Sequence, residues 1–395
     1  MNKKPAHNFH IPVMGLAYTI DSPIRVAQFG ISSVVSIIDD EIIERMRDFY
    51  SKKFNFDYTA ISIKSEDHRA ERITAYLDMM DDIVTKKFKD FKEEISKNTE
   101  SLKQFIGMLP STSGLKDGLQ NILNKKDNLS ESIKNFIDHN FNPGEIDVNI
   151  MTKVDKDNFV KNVQLPTIYN DAHASLRGFA NSKLSSSVIF SAGMNPRLYS
   201  YLEEFEDFFP NENGELKKKI ILKVSDFRSA MIQGNFLAKK GLWVSEYRIE
   251  SGLNCGGHAF ATDGLLMGPI MEEFKQKKNE LQTSAFTLWK SALEQKGKMT
   301  TSEPLEIKIS VQGGVGTSEE HDFLLSNYNA DSVGWGSPFL LVPEATSLDQ
   351  ETRNLLTKAK EEDYYLSNMS PLGVPFNTIR GTSNDEIKDV NISNQ

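Results

Sequence analysis

Eight short apolar runs alternate with helical patterns along this chain, and two glycine motifs stand one helix apart at the ends of the last two runs. Together they predict an α/β fold, a (β/α)8 TIM barrel with a large helical insertion between the second and third strands. The motifs read EIKISVQGGVGT at 306–317 and ADSVGWGSPFL at 330–340. In such a barrel the loops after strands seven and eight frequently form a phosphate cup, so the pair marks the end of the molecule where a ligand anchors.

The predicted strands lie at 11–16, 31–37, 146–150, 187–192, 220–224, 242–247, 307–311 and 332–335. Several are almost continuously apolar, as parallel strands buried on both faces are. Helical patterns fill most gaps between them, for example 226–239 and 318–328. The connections are uneven. The first two strands are joined by a short link, whereas 39–145 separates the second from the third. Within it, Ile83, Phe88, Phe91, Ile95, Leu102 and Phe105 recur at helical spacing in a Lys/Glu/Asp/Asn-rich stretch, 81–140. This insertion is open to three uses: a lid over the site, a homo-oligomer surface, or a solvated appendage. The chain is therefore divided at 1–38 (first two strands), 39–145 (mainly helical insertion), 146–345 (remainder of the barrel) and 346–395. The last part holds a helix at 349–362, a turn-rich stretch at 370–381 and a polar tail.

A net charge of −9 without a dense basic stripe speaks against a nucleic-acid surface. The single cysteine, Cys255, rules out an intrachain disulfide framework and suits a reducing compartment. No apolar stretch is long enough for a bilayer and the first ten residues are polar, so a cytoplasmic protein without a membrane partner is expected. The histidines show no metal-ligand spacing, and no bound metal is expected.

The glycines of the two motifs carry specific chemistry. Without a Cβ, the backbone N–H groups of Gly313 and Gly314 approach phosphate oxygens closely. Helix N-termini add partial positive charge. Thr317 and Glu320 have capping-box spacing, and Ser337-Pro338 reads as a cap followed by proline at the first helical position. Two ordinary strand-to-helix turns are the plainer alternative. The loop after the sixth run, RIESGLNCGGHAF at 248–260, pairs Gly256 and Gly257 with His258. On a barrel this loop opens on the face of the phosphate cup, where a histidine can exchange a proton with a carbon acid. A histidine merely bonded into its loop weighs about equally. Cys255 reads as a small apolar filler rather than a nucleophile, and His321 as a surface residue.

These motifs resemble the nitronate monooxygenase (2-nitropropane dioxygenase-like) group of FMN-dependent barrels, itself similar to FMN-dependent enoyl-acyl-carrier-protein reductases and more remotely to IMP dehydrogenase. The matching segments are IPVMGLAY at 11–18, IDVNIM at 146–151, VIFSAGMNP at 188–196, CGGH at 255–258, QGGVGTS at 312–318 and SVGWGSPFLLV at 332–342. The resemblance covers most of the barrel and little of the insertion. It implies an FMN cofactor whose phosphate meets the backbone amides of Gly313, Gly314, Gly336 and Ser337. It further implies that Met14, Gly15, Asn149, Lys223, Gly256 and Gly257 border the flavin, with His258 as the catalytic base. Where the family has Thr-Arg this chain has Ser337-Pro338, and Cys255 replaces an alanine. The expected activity is oxidation of a nitronate or nitroalkane small molecule by dioxygen. The alternatives are an FMN-dependent NAD(P)H enoyl-thioester reductase and a non-catalytic phosphate-binding or scaffolding barrel.

Overall fold

The computed structural model describes residues 5–387 except 16, 38, 112, 126–128, 151–154, 192, 252–253, 256–257, 260–265, 369–373 and 384. In chain order the first elements are β1 (Phe9–Ile11), α1 (Ser22–Val26), β2 (Ser32–Ile37), α2 (Asp40–Phe54), α3 (His68–Lys97), α4 (Thr99–Met108), α5 (Gly114–Lys125) and α6 (Leu129–Asn140). Then come β3 (Ile146–Ile150), the small hairpin β4 (Phe159–Val160) and β5 (Val163–Gln164), α7 (Asp171–Asn181), β6 (Ser186–Phe190), α8 (Pro196–Tyr201), β7 (Lys218–Val224), α9 (Phe227–Ala238) and β8 (Val244–Glu250). The chain ends with β9 (Asn254–Cys255), β10 (His258–Ala259), α10 (Met267–Gln295), β11 (Lys308–Gln312), α11 (Ser318–Tyr328), β12 (Ser332–Gly334), α12 (Gln350–Lys358), β13 (Tyr364–Ser367) and β14 (Phe376–Ile379).

Eight strands close into an all-parallel barrel in the order β1-β12-β11-β8-β7-β6-β3-β2. The predicted barrel is present. Closure runs through β1, whose His10 is level with Gly334 on one side and Ser32 on the other. Alternation sets the two faces of each strand. Val148, Leu222, Tyr247 and Ile309 enter the shell between strands and helices. Their neighbours Asp147 and Arg248 face the lumen, because two strands, β7 and β6, stand between β8 and β3 and yet these side chains meet at 3.2 Å.

Most strand bounds shift by one to five residues from the sequence reading, and three differences bear on the site or its surroundings. The first strand ends at Ile11, so 12–15 form the turn above it rather than its continuation. The sixth barrel strand runs to Glu250, which brings Arg248 and Glu250 out of the expected loop and into the barrel wall. The C-terminal stretch expected as turns contains β14.

Local chemistry explains the helix starts and stops. The Asp39 carboxylate accepts from the amides of Glu41 and Ile42 at 2.8 and 3.0 Å, and Asp226 caps α9 through Ser229 N at 2.6 Å. Asn55 and Asn329 end α2 and α11 in the left-handed region at φ 56° and 54°.

The insertion divides between two cores. Ile43, Tyr50, Ile73, Tyr76 and Met80 of α2 and the first half of α3 join the main core, and Thr74 Oγ1 donates to Gly178 O of α7 at 2.9 Å. The end of α3 with α4–α6 closes a second core around Ile95, Leu102, Phe105, Leu119, Ile133 and Phe141. That core rests on the starts of the strands. The Phe29 and Phe91 rings meet edge to face at 5.2 Å, and Gly144 N donates to Ala27 O at 2.8 Å just before β3. The α4–α6 unit thus sits at the end opposite the strand termini, which removes the lid among its three expected uses. Among the described residues no helix is long and apolar enough to cross a membrane.

Candidate active site at the barrel mouth

At the end of β11 the backbone turns through Gly313 (φ 101°) and Gly314 (φ 72°), conformations that a Cβ would strain. The space a Cβ would enter is open at both. Here the chain leaves exposed backbone with open space above it. The capping box at the start of α11 is complete: Thr317 Oγ1 accepts from Glu320 N at 3.2 Å, and Glu320 Oε2 accepts from Thr317 N at 3.1 Å. The same oxygen also accepts from Gly316 N at 2.8 Å. Two amides of the glycine loop therefore already face a carboxylate.

After β12, Trp335 N donates to His10 O at 3.0 Å and Phe339 N to Gly336 O at 3.0 Å. A five-residue 3-10 helix, Ser337–Leu341, follows with Gly336 as its cap and no side-chain cap bond. Ser337 is therefore the first residue of that helix and not its cap. His321 is not a surface residue: it is 8% exposed, facing Asn8 Oδ1 at 3.0 Å and accepting from Trp335 Nε1 at 3.0 Å. Burial lowers its pKa, and it ties the loop after β12 to the base of α11.

Charged side chains fill the lumen below these loops. Lys223 Nζ on β7 lies 3.3 Å from Glu250 Oε2 on β8, and Gln312 Nε2 on β11 donates to that oxygen at 3.4 Å. One layer lower, the Arg248 guanidinium reaches Asp147 at 3.2 Å and Glu246 at 2.8 Å. Burial pushes the Asp147 carboxyl up to about 7, against the pull of Arg248, and Glu145 and Glu246 add to the rise. Arg248 is shared with Glu246 and does not outweigh the burial. His10 Nδ1 faces Ser332 Oγ at 3.0 Å. Burial first, and Arg248 second, hold its pKa well below the ordinary value. The ring crowds Gly334, where a Cβ would stand 3.0 Å from His10 Nε2.

The lumen also holds an apolar cluster. Val34, Ile189 and Ile221 meet inside the barrel with Val13 packed on them. Met14 instead packs with Ile11, Val26 and Ala345 on the outer face of β1. Gly15 has φ 136°, and its carbonyl accepts from Thr19 Oγ1 at 2.8 Å. Asn149 is 4% exposed; its Nδ2 donates to Ser36 Oγ at 3.3 Å, while its Oδ1 has no hydrogen-bond partner.

His258 lies on β10 and Cys255 on β9, a hairpin that leaves the barrel just after Glu250. Gly256 and Gly257 lie outside the described residues. Among the described residues no group of three or more His, Cys, Asp or Glu side chains is placed to hold a metal. Sequence reasoning passed over Glu250, Gln312, Arg248 and Asp147. The signal for Arg248 and Glu250 is the alternation Glu246-Tyr247-Arg248-Ile249-Glu250, a strand with one charged face.

Two observations fit a flat ligand with a phosphate, such as FMN: the open cradle at Gly313–Gly314 and the buried, unpartnered Asn149 Oδ1. Lys223 lies in the wall below, its charge paired with Glu250 at 3.3 Å. Glu320 restricts the fit, since it leaves the amides of Gly313, Gly314, Gly336 and Ser337, not those of Gly316 and Thr317, for an anion.

No family model and no curated protein matches the chain. Among solved structures it is similar to the enoyl reductase domain of MlnA from the macrolactin biosynthesis cluster of Bacillus amyloliquefaciens, at 14% identity and a TM-score of 0.36. The match covers 69% of this chain and 56% of that one. A superposition that loose fixes no chemistry, and the barrel stands on its own strand pairing.

Proposed function

We propose that the chain is an FMN-dependent oxidoreductase working at the C-terminal mouth of its barrel. The observation that carries this reading is the open left-handed turn Gly313–Gly314 set above a buried polar wall of Lys223, Glu250 and Gln312. The amides of Gly313, Gly314, Gly336 and Ser337 would hold the phosphate. Gly15, Asn149, Lys223, Gly256 and Gly257 would border the ring, with Asn149 Oδ1 offering an acceptor, whereas Met14, packed on the outer face of β1, would not reach it. Bound FMN supplies electron transfer, and the protein contributes orientation, electrostatics and proton movement. His258 would take the α-proton of a neutral carbon acid or steady the charge of its anion.

The first reading of the substrate is a nitronate or nitroalkane, oxidised with dioxygen to a carbonyl compound and nitrite. The second is an enoyl thioester reduced with NAD(P)H, and one observation favours it. In the connection that follows β3, the hairpin β4–β5 exposes Phe159 (60%), Val160 and Val163 (67%). Nearby in barrel order, Met194 and Ile232 line a recess of about 300 Å³ with Arg228. Exposed apolar side chains in these two connections suit a substrate with a chain better than a small nitroalkane.

The test is the visible spectrum of the purified protein, followed by anaerobic mixing with each electron donor. Flavin bleached by a nitronate supports the first reading, and flavin bleached by NAD(P)H the second. A colourless protein that does not take up FMN overturns both.

A further inference from the structure

The strand that carries His258 is not part of the barrel. β10 pairs with β9 on one side (His258↔Cys255, Ala259↔Asn254) and with β14 on the other (His258↔Phe376). β14 is held by four register pairs to β13, from Tyr364↔Ile379 to Ser367↔Phe376. The result is a four-stranded antiparallel sheet, β13-β14-β10-β9, assembled from two distant parts of the chain. A hairpin of two-residue strands does not hold its geometry alone in water. What steadies β9–β10 is therefore β14, arriving from the far end of the sequence.

The C-terminal hairpin is itself anchored. Ile379 is buried, and the Arg380 guanidinium lies 4.5 Å over the Tyr365 ring. Ser383 Oγ donates to Asp349 Oδ2 at 3.1 Å, tying the segment to the carboxylate that caps α12. α12 packs on the 3-10 helix that follows Gly336. A run of contacts thus leads from the loop after β12 to the backbone of His258.

We propose that the C-terminal hairpin β13–β14 is a positioning element of the active site, its strand Phe376–Ile379 fixing the backbone of His258 beside the mouth. The mechanical part rests on the strand pairing alone. The catalytic consequence rests on the reading of His258 as the proton-transfer residue, and the two parts are read separately below.

The experiment uses the full chain. Successive residues of a strand direct their N–H groups to opposite neighbours, so of Phe376→Pro and Asn377→Pro one removes a donor toward β10 and the other a donor toward β13. The readouts are amide exchange of segment 254–259 and the labelling rate of Cys255, the only cysteine. In the proline variants both should rise at least about tenfold while β3 and β7 stay protected, and Phe376→Leu, which keeps the N–H, should match wild type. Unchanged exchange and labelling in both proline variants overturns the proposal. Should the proline variants unfold, wild-type exchange in sub-denaturing urea decides. The 254–259 and 376–379 amides must then open together, and independent opening overturns the proposal.

For the catalytic consequence, whichever proline variant speeds exchange at 254–259 should lower kcat as His258→Ala does. The double variant should lose no more, and flavin affinity should hold. Faster exchange with a fully active His258→Ala enzyme keeps the positioning role and overturns the role of the histidine.

Discussion

Lys223 and Glu250 pair at 3.3 Å where β7 and β8 end, with the carboxylate 5% exposed and the ammonium only partly covered. Removing the ammonium leaves a buried carboxylate that still accepts from Gln312 Nε2 at 3.4 Å. Breaking a fully buried pair costs about 3–5 kcal/mol. Lys223 keeps some contact with water, so Lys223→Met should cost roughly 1–3 kcal/mol by urea denaturation. Adding Glu250→Gln should recover at least half of that loss, because the amide no longer needs a counter-ion. Additive losses in the double variant would mean the two groups do not depend on each other.

Asp147 gives stability a pH dependence of predictable sign. Burial raises its pKa from 3.8 to about 7 in the folded chain. The folded state holds the proton more tightly, so the contribution is full below pH 3.8 and is lost as pH rises through about 7. Asp147→Asn imitates the protonated form. The wild-type-minus-variant stability should fall by about 4 kcal/mol between pH 4 and pH 8. His7 works in the opposite sense, since burial lowers it to about 4 and the Phe29 carbonyl only partly offsets this. It is common to both proteins and cancels in the difference. A flat difference across this range would mean that Arg248 keeps Asp147 ionised.

The barrel was legible because its outward residues, such as Val148, Leu222 and Tyr247, make apolar runs at strand length between helical patterns. Its contents were less so. Assuming continuously apolar strands, the reading ended the sixth strand at Tyr247 and assigned Arg248 and Glu250 to a loop, although charged and apolar residues alternate there with period two. The capping box at Thr317 was visible because it is a local four-residue device. The pairing of His258 with Phe376 was not, because β10 and β14 are two and four residues long and nothing in either segment announces a distant partner.

Glu320 occupies two amides that the glycine loop would otherwise turn toward a phosphate, accepting from Gly316 N at 2.8 Å and Thr317 N at 3.1 Å. Its charge also opposes an anion placed over the start of α11. Glu320→Ala should therefore tighten FMN binding about two- to five-fold, equivalent to roughly 0.3–1 kcal/mol. Loss of the capping box should lower stability by about 1 kcal/mol. Riboflavin, which lacks the phosphate, serves as the control in a fluorescence-quenching titration. Unchanged or weaker FMN binding would reduce Glu320 to a helix cap and move the phosphate away from this loop.

Gly314 separates backbone strain from ligand exclusion. At φ 72° an alanine is strained by about 1–2 kcal/mol. Asparagine visits this region readily and should cost well under 1 kcal/mol. The space beyond the missing Cβ is open, so neither side chain meets a protein atom. Both would stand in the cradle assigned to the phosphate. Gly314→Asn should accordingly melt within a few degrees of wild type and yet bind FMN at least about tenfold more weakly, a loss of roughly 1.4 kcal/mol or more. Gly314→Ala should show a lower melting temperature with a smaller loss of affinity. Full FMN affinity in a stable Gly314→Asn protein would show that the cradle at Gly313–Gly314 is an ordinary strand-to-helix turn, and the proposed cofactor would lose its anchor.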